Sequence, residues 1–146
     1  MKESLLPGLS YTHQFVIPDS KTVPSLYPES YEFKQMPKVF ATGYLVGFLE
    51  WACILCINPH LNWPEEQSVG IHIDISHVAA TPPGFKVQAA VTLLEVDGKR
   101  LLFEVEAHDG VDLISAGQHQ RYIIEKNKFD QRLEEKTLSQ LKYKSL

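Results

Sequence analysis

The stretch FATGYLVGFLEWACILCI, residues 40–57, decides the fold of this 146-residue chain. It is apolar nearly all round and carries one carboxylate, Glu50, near its middle. Thr42 has the side chain of an N-cap residue, and Asn58 followed by Pro59 is a typical stop signal. The pattern therefore predicts a helix from Thr42 to about Asn58, buried on most of its sides.

Glu50 calls for an explanation, because burying a lone ionised carboxylate costs several kcal/mol. Such a group is usually paired, protonated or used in chemistry. The same acid argues against a membrane-spanning helix, and the apolar segment is also shorter than the roughly 20 residues that a bilayer needs. We therefore expect a core helix with one paired or functional acid, and no membrane partner.

The segments around this helix predict a mostly antiparallel sheet. Residues 10–17 alternate as in a strand, and the proline-rich and aromatic residues 22–40 predict a compact lid with a short helix near Phe33. After the long helix, Asp97 and Gly98 form a hairpin signal, and the charged tail, residues 129–146, is predicted to be helical. Four strand-like segments lie between the long helix and the tail: residues 68–77, 86–96, 100–109 and 113–125.

The order of these elements predicts a single domain of the α+β class over residues 1–146. A sheet of about five antiparallel strands wrapped around one helix explains why that helix has almost no polar face. This is the hot-dog arrangement. Because such a sheet has open edges and one subunit covers the helix only in part, we expect a homodimer.

Composition and charge exclude several classes of protein. The net charge is −4 and the 14 Lys and Arg residues are scattered, so nucleic acid is not an expected partner. The first residues, MKESLLPGLSY, lack the apolar core of a signal peptide, which predicts a cytoplasmic location. Cys53 and Cys56 share one helical face with no further cysteine in the chain, so we interpret them as small buried hydrophobic residues.

Three polar side chains form the candidate catalytic set, namely Thr42, Glu50 and His77. They supply a hydroxyl to attack or polarise, a carboxylate to orient, and an imidazole to move protons. Thr42 and Glu50 lie eight positions apart on the helix, about 12 Å along its axis, so they cannot touch directly. Either the imidazole of His77 bridges them, or a second subunit supplies one member of the set.

No metal or cofactor is expected. His72 and Asp74 share one face of the predicted strand and His77 points to the other, which disfavours a shared metal ion. The sequence also lacks a GxSxG elbow, a phosphate-binding P-loop and a dinucleotide-binding GxGxxG motif.

The chain resembles the fluoroacetyl-CoA thioesterase family of hot-dog proteins from about Thr12 to Phe129. Five motifs carry the resemblance, in this order: VPSLYPESYEF, VFATGYLVGFLEWAC, HVAATPPG, AHDGVD and GQHQRYII. The resemblance implies hydrolysis of acyl-CoA thioesters by the set Thr42, Glu50 and His77, with coenzyme A as part of the substrate.

The resemblance also implies roles in substrate binding. Gly70 and Arg121 would line the acyl end of the pocket, and Phe33 would belong to the lid over it. In that family the lid carries a second phenylalanine where this chain has Met36, and the softer, unbranched methionine would fit a less shaped acyl site. The acyl group therefore stays open.

The expected function is that of an acyl-CoA thioesterase, which converts a short-chain acyl-CoA to free acid and CoA. Two alternatives on the same fold are a non-catalytic protein that binds or senses acyl-CoA, and a hydratase that would use acid and base on a carbon–carbon double bond.

Overall fold

A single antiparallel sheet of five strands forms the framework of the computed structural model, which describes residues 1–144. Counted along the chain, the strands lie in the order 1-3-4-5-2 across the sheet, so the first and second strands form its two edges. One long helix, α2 (Thr42–Ile57), packs against the sheet, which confirms the predicted hot-dog fold. The strands are β1 Ser10–Val16, β2 Glu66–Ile75, β3 Lys86–Asp97, β4 Arg100–His108 and β5 Leu113–Glu125.

The helix α2 spans Thr42–Ile57 and starts differently from the prediction. Ala41 occupies the N-cap position, and no side chain caps the helix. Thr42 is the first helical residue, so its predicted role as an N-cap is wrong. The reason is local, because the Thr42 hydroxyl is bonded to a histidine outside the helix instead of a backbone N–H of the first turn.

The core lies between α2 and the inward residues of the central strands. Side chains alternate between buried and exposed along β3 and β4, as a sheet with one covered face requires. Cys53 and Cys56 are free and buried on this side of α2, which confirms their interpretation as small core residues. Burial raises the pKa of the Cys56 thiol to about 11. The core residues of α2 are Leu45, Phe48, Leu49, Ala52, Cys53, Cys56 and Ile57.

The opposite face of α2 is open in the single chain. Gly43, Gly47 and Trp51 are exposed there, and Glu50 is only half-buried. The expectation of a helix buried on most sides therefore holds for the sheet-facing side alone. By length and composition the segment Thr42–His60 would be able to cross a membrane, as many core helices of globular proteins also would. The absence of a membrane partner stays a prediction.

The lid is closed at its base by a backbone bridge between Thr22 and Phe40, which are the two ends of the predicted segment. Inside it lies α1, Tyr31–Lys34, as the proline pattern predicts. Ser30 caps this helix by accepting a hydrogen bond from the Phe33 N–H at 3.1 Å.

Two element boundaries differ from the sequence prediction, and one predicted turn is confirmed. β2 ends at Ile75, so His77 lies two residues beyond the strand that was predicted to contain it. The hairpin between β3 and β4 is confirmed, with Gly98 at a φ of 58°. The tail forms α3, Lys126–Lys144, which begins three residues before the predicted start and buries none of its residues. Residues 145–146 of the predicted tail lie outside the described residues.

The loop between β4 and β5 is organised by Asp109, whose side chain is 5% exposed. Its Oδ1 accepts hydrogen bonds from the backbone N–H groups of Val111 and Asp112, and its Oδ2 accepts one from the Thr81 hydroxyl at 2.8 Å. Burial by itself would raise the pKa of this carboxyl, but the hydrogen bonds outweigh it and hold the pKa below the ordinary value of 3.8.

We expect Asp109→Asn to lower the free energy of unfolding at neutral pH by about 1–3 kcal/mol. The amide NH2 that replaces Oδ2 cannot accept the Thr81 hydrogen bond, and the amide oxygen carries no negative charge to strengthen the other two bonds. A carboxyl with a lowered folded-state pKa stabilises above its unfolded pKa, and the stability is lost as pH falls through the folded value. The deficit measured by urea unfolding should therefore shrink below about pH 3.8.

Asp112→Asn is the matched control for this prediction. It removes the same charge from an exposed side chain of the same loop, and it should change stability by much less. Equal losses in the two variants at every pH would contradict the role of Asp109.

Candidate active site

A threonine and a histidine meet at the start of α2. The Thr42 Oγ1 and the His77 Nδ1 are 2.8 Å apart, a hydrogen-bonding distance for a hydroxyl and an imidazole. α2 supplies Thr42, and the loop after β2 supplies His77. A backbone hydrogen bond from the Val78 N–H to the Ile114 carbonyl, 2.9 Å, ties that loop to β5 and holds the imidazole in place.

The imidazole of His77 is partly buried. Burial lowers its pKa below the ordinary histidine value of 6.5, so the neutral imidazole predominates at neutral pH. Its other ring nitrogen, Nε2, is buried and has no hydrogen-bond partner among residues 1–144. When Nδ1 accepts the Thr42 hydrogen bond, the proton lies on Nε2, and burial of this N–H without a partner costs free energy.

Glu50 belongs to a second cluster, two turns further along α2. Its Oε2 accepts a hydrogen bond from the Arg121 Nη1 at 2.9 Å, and the two groups form an ion pair. The Arg121 side chain is 3% exposed and that of Glu50 is 35% exposed. The acid in the apolar helix is therefore paired and half-buried, and its partner comes from β5.

Arg121 is fixed from several directions. Its Nε donates to the Ser68 hydroxyl and its Nη2 to the Ser68 backbone carbonyl, both at 2.8 Å. Its Nη1 also lies 3.0 Å from the His119 Nε2. Because β2 pairs with β5 at this point, the guanidinium is held between two strands and is aimed at the helix.

Gly70 leaves room for this ion pair. A Cβ at this position would lie 2.7 Å from the Glu50 Oε2 and 3.2 Å from the His119 Cε1, closer than van der Waals contact allows. Glu50, Gly70 and His119 border an open cleft of about 430 Å³ together with apolar neighbours. These neighbours are Val46, Ile71 and Ile73, with His72 at the rim.

The predicted catalytic residues thus form two groups within one chain. Thr42 contacts His77, as the sequence predicts, but Glu50 contacts Arg121 and not His77. A single imidazole does not bridge the helix, so of the two arrangements left open by the sequence, the bridge within one chain is wrong. The reason is distance, because Gly70 beside Glu50 and His77 beside Thr42 are separated by about 20 Å of extended chain.

The predicted substrate-binding residues divide in the same way. Gly70 and Arg121 lie together beside Glu50. Phe33 and Met36 lie in the lid, where Phe33 stacks on Tyr27 with ring centroids 5.8 Å apart and Met36 is 49% exposed. Neither lid residue borders the cleft beside Glu50.

Two members of the Arg121 cluster, Ser68 and His119, were not predicted from the sequence. His119 and Arg121 are two residues apart on a strand, so they share one face of the sheet. That spacing, with an acid on the helix facing the same side, is the signal that would have found His119. Within the described part of the chain, no group of three His, Cys, Asp or Glu residues is arranged to hold a metal ion.

A hot-dog sheet with a hydroxyl–imidazole pair and an arginine-bound carboxylate on its central helix defines the protein as a hot-dog thioester hydrolase. Comparison with known proteins agrees. A family model described as "Fluoroacetyl-CoA-specific thioesterase" matches residues 24–127. The chain belongs to this family.

Similar proteins are found at high and at moderate identity. The fluoroacetyl-CoA thioesterase of Streptantibioticus cattleyicolor is 48% identical over 94% of this chain and 98% of its own. A solved structure of the fluoroacetyl-CoA enzyme FlK, a threonine-to-serine variant in complex with acetyl-CoA, superposes with a TM-score of 0.88 at 47% identity, covering 91% and 99% of the chains. A thioesterase superfamily member from Thermus thermophilus reaches 0.80 at 26%, covering 94% and 98%.

We expect Gly70→Ala to lower the rate of thioester hydrolysis by about 10-fold or more, because the new methyl group displaces the Glu50 carboxylate from Arg121. The melting temperature should fall as well, because displacement of Glu50 leaves the nearly inaccessible Arg121 guanidinium without its ion-pair partner. Steady-state kinetics and a thermal unfolding curve measure the two effects. A wild-type rate in this variant would mean that the position of Glu50 does not matter.

Proposed function

We propose that this protein is an acyl-CoA thioesterase that hydrolyses a short-chain acyl-CoA to the free acid and CoA. Thr42, His77 and Glu50 are the proposed catalytic residues, and Gly70, Arg121, Phe33 and Met36 the proposed substrate-binding residues. The single observation that carries the proposal is the 2.8 Å hydrogen bond between Thr42 and His77 at an uncapped helix start.

The chemistry follows from this pair. A neutral His77 accepts the Thr42 proton at Nδ1, which lets the hydroxyl oxygen either attack the thioester carbonyl or hold the water that attacks it. Both routes need the same base. In the first route the acyl group becomes esterified to Thr42, and a water activated by His77 then hydrolyses this ester; in the second route the water forms the acid directly. In both routes the C–S bond breaks, and the CoA thiolate takes up the proton that His77 received.

The start of α2 suits the charge that develops on the carbonyl oxygen. Because no side chain caps this helix, its first backbone N–H groups are not satisfied by a cap and carry the positive end of the helix dipole. Donors fixed in this way stabilise an oxyanion without reorganising during the reaction.

The Glu50 cluster supplies the acyl end of the proposed site. Its carboxylate is held by Arg121 through Oε2, and its Oε1 accepts no hydrogen bond among the described residues. This free oxygen is available to a water or to an imidazole. Apolar Val46 and Ile73 border the same cleft, which favours a small acyl group over a charged one.

We propose a homodimer in which each site takes one cluster from each copy. β2 is an edge strand, and the exposed Ile71 and Ile73 give that edge an apolar character. Unprotected edges of this kind pair readily with another strand.

The register of such a dimer explains how the two clusters would meet. If two β2 strands pair antiparallel about a two-fold axis that passes through position 74, residue 77 of one copy lies opposite residue 71 of the other, next to Gly70. The Thr42–His77 pair of one copy then faces the Glu50–Arg121 pair of its partner. The unpartnered His77 Nε2 gains a carboxylate neighbour.

Other aspects of the function are also proposals. We propose a cytoplasmic enzyme that needs no metal or redox cofactor and has neither nucleic acid nor membrane as a partner. Membership of a thioesterase family does not favour the non-catalytic or hydratase alternatives. The acyl group stays open, because Met36 stands in the lid where the resemblance implies a phenylalanine.

We expect Glu50→Gln and His77→Ala each to lower kcat/KM for acetyl-CoA by about 100-fold, the usual effect of losing an acid–base group. Thr42→Ser keeps the hydroxyl and should retain much of the activity. Release of free thiol from a panel of CoA thioesters measures all three variants.

His13→Phe serves as the control for this series, since His13 lies on β1 against Phe48 and Trp51, away from both clusters. Thiol release near the wild-type rate in a folded Glu50→Gln or His77→Ala protein would remove that residue from the mechanism. Binding of acyl-CoA without thiol release by the wild-type protein would support the non-catalytic alternative.

A mixing experiment tests whether the site is shared. In a mixed dimer of Glu50→Gln and His77→Ala subunits, one of the two shared sites has both residues intact. After statistical exchange half of the dimers are mixed, so activity should recover to about a quarter of the wild-type value. Each variant alone stays nearly inactive and is its own control. No recovery, with exchange verified by mass spectrometry, would contradict a site shared between two copies.

A further inference from the structure

We propose that His119 is a positioning residue that fixes Arg121, and through Arg121 the Glu50 carboxylate, by acting as a neutral imidazole with its proton on Nδ1. The inference rests on the proposed function, because it assigns His119 a part in orienting the acid of that site. Arg121 by itself would attract Glu50 electrostatically. The contact between the His119 Nε2 and the Arg121 Nη1 also fixes the position of that Nη1.

The hydrogen bonds determine the state of His119. Every N–H of arginine is a donor, so the His119 Nε2, 3.0 Å from the Arg121 Nη1, has to accept and cannot carry a proton. The proton therefore lies on Nδ1, which donates to the His72 backbone carbonyl at 2.7 Å. One tautomer satisfies both contacts.

The surroundings keep His119 in this state. Burial lowers its pKa below 6.5; the hydrogen bond to His72 opposes this effect, and the neighbouring Arg121 cation reinforces it. The side chain is 2% exposed. A proton on Nε2 would face the guanidinium as a second donor of the same charge, so protonation would break the contact with Arg121.

The backbone explains why a histidine is suited to this place. The pairing of β2 with β5 shifts register between Gly70 and His72, which marks a bulge in the edge strand. The His72 carbonyl next to this bulge is taken by the His119 side chain. His119 therefore joins the irregular part of β2 to Arg121, and Gly70 in the same irregularity makes room for Glu50.

The arrangement predicts a defined kinetic signature. His119→Phe keeps a flat ring but loses the acceptor for Arg121 and the donor for His72. It should lower kcat about 10-fold or more and leave KM nearly unchanged, because the acid is misplaced while the apolar cleft remains. His119→Gln can both accept and donate through its amide, so it should recover most of the lost rate.

A double-mutant cycle separates positioning from general structural support. If His119 acts through Glu50, adding His119→Phe to Glu50→Gln should cause no further loss of kcat, because the group being positioned is already inactive. Multiplication of the two losses would overturn the proposal. So would equal rates for His119→Phe and His119→Gln.

Two controls keep the outcomes distinct. His13→Phe makes the same chemical change at a partly buried histidine elsewhere in the fold. It should leave kcat unchanged both in the wild-type protein and in the Glu50→Gln variant. If Glu50→Gln itself retains the wild-type rate, the proposed role of Glu50 fails. If Glu50→Gln is inactive while His119→Phe is as active as the wild type, only the role of His119 fails. Circular dichroism confirms folding, and His119→Gln gives the decisive comparison if His119→Phe does not fold.

Discussion

The packing of one apolar face of α2 against the sheet is the constraint on which the rest of the structure depends. Burial of that face supplies much of the core, and it fixes the axis of the helix relative to β5. The helical repeat then determines where the polar side chains of α2 lie. Thr42 lies at the end near the loop after β2, and Glu50 lies two turns later beside Arg121. The distance between these two side chains is therefore set by the packing of the helix.

Much of the fold could be predicted because it depends on local patterns. Alternation marked the strands, proline marked the lid, and Asp97-Gly98 marked the hairpin. The site was less accessible, since its contacts join distant positions. The sequence indicates that Thr42 and His77 belong together, but not that Glu50 meets Arg121. The N-cap prediction failed because capping preferences describe a helix start that has no competing partner, whereas the Thr42 hydroxyl has an imidazole within reach.

The two clusters differ in their physical design. The hydroxyl–imidazole pair is neutral, lies near solvent and depends on proton movement. The Glu50 cluster is charged and is anchored by a nearly inaccessible guanidinium, because Ser68 and His119 occupy three further N–H donors of Arg121. In the proposed site, the hydroxyl–imidazole pair would activate the nucleophile, and the Glu50 cluster would supply a fixed charge near the thioester carbonyl.

The bridge between Thr22 and Phe40 bears on how such an enzyme can change over time. Because the two ends of the lid are already joined, the entropy of closing the loop depends only weakly on the length and composition of its interior. Residues such as Met36 can therefore be exchanged, inserted beside or removed with little effect on the sheet. The lid can therefore vary in sequence while the sheet and α2 keep Thr42, Glu50 and His77 in their positions.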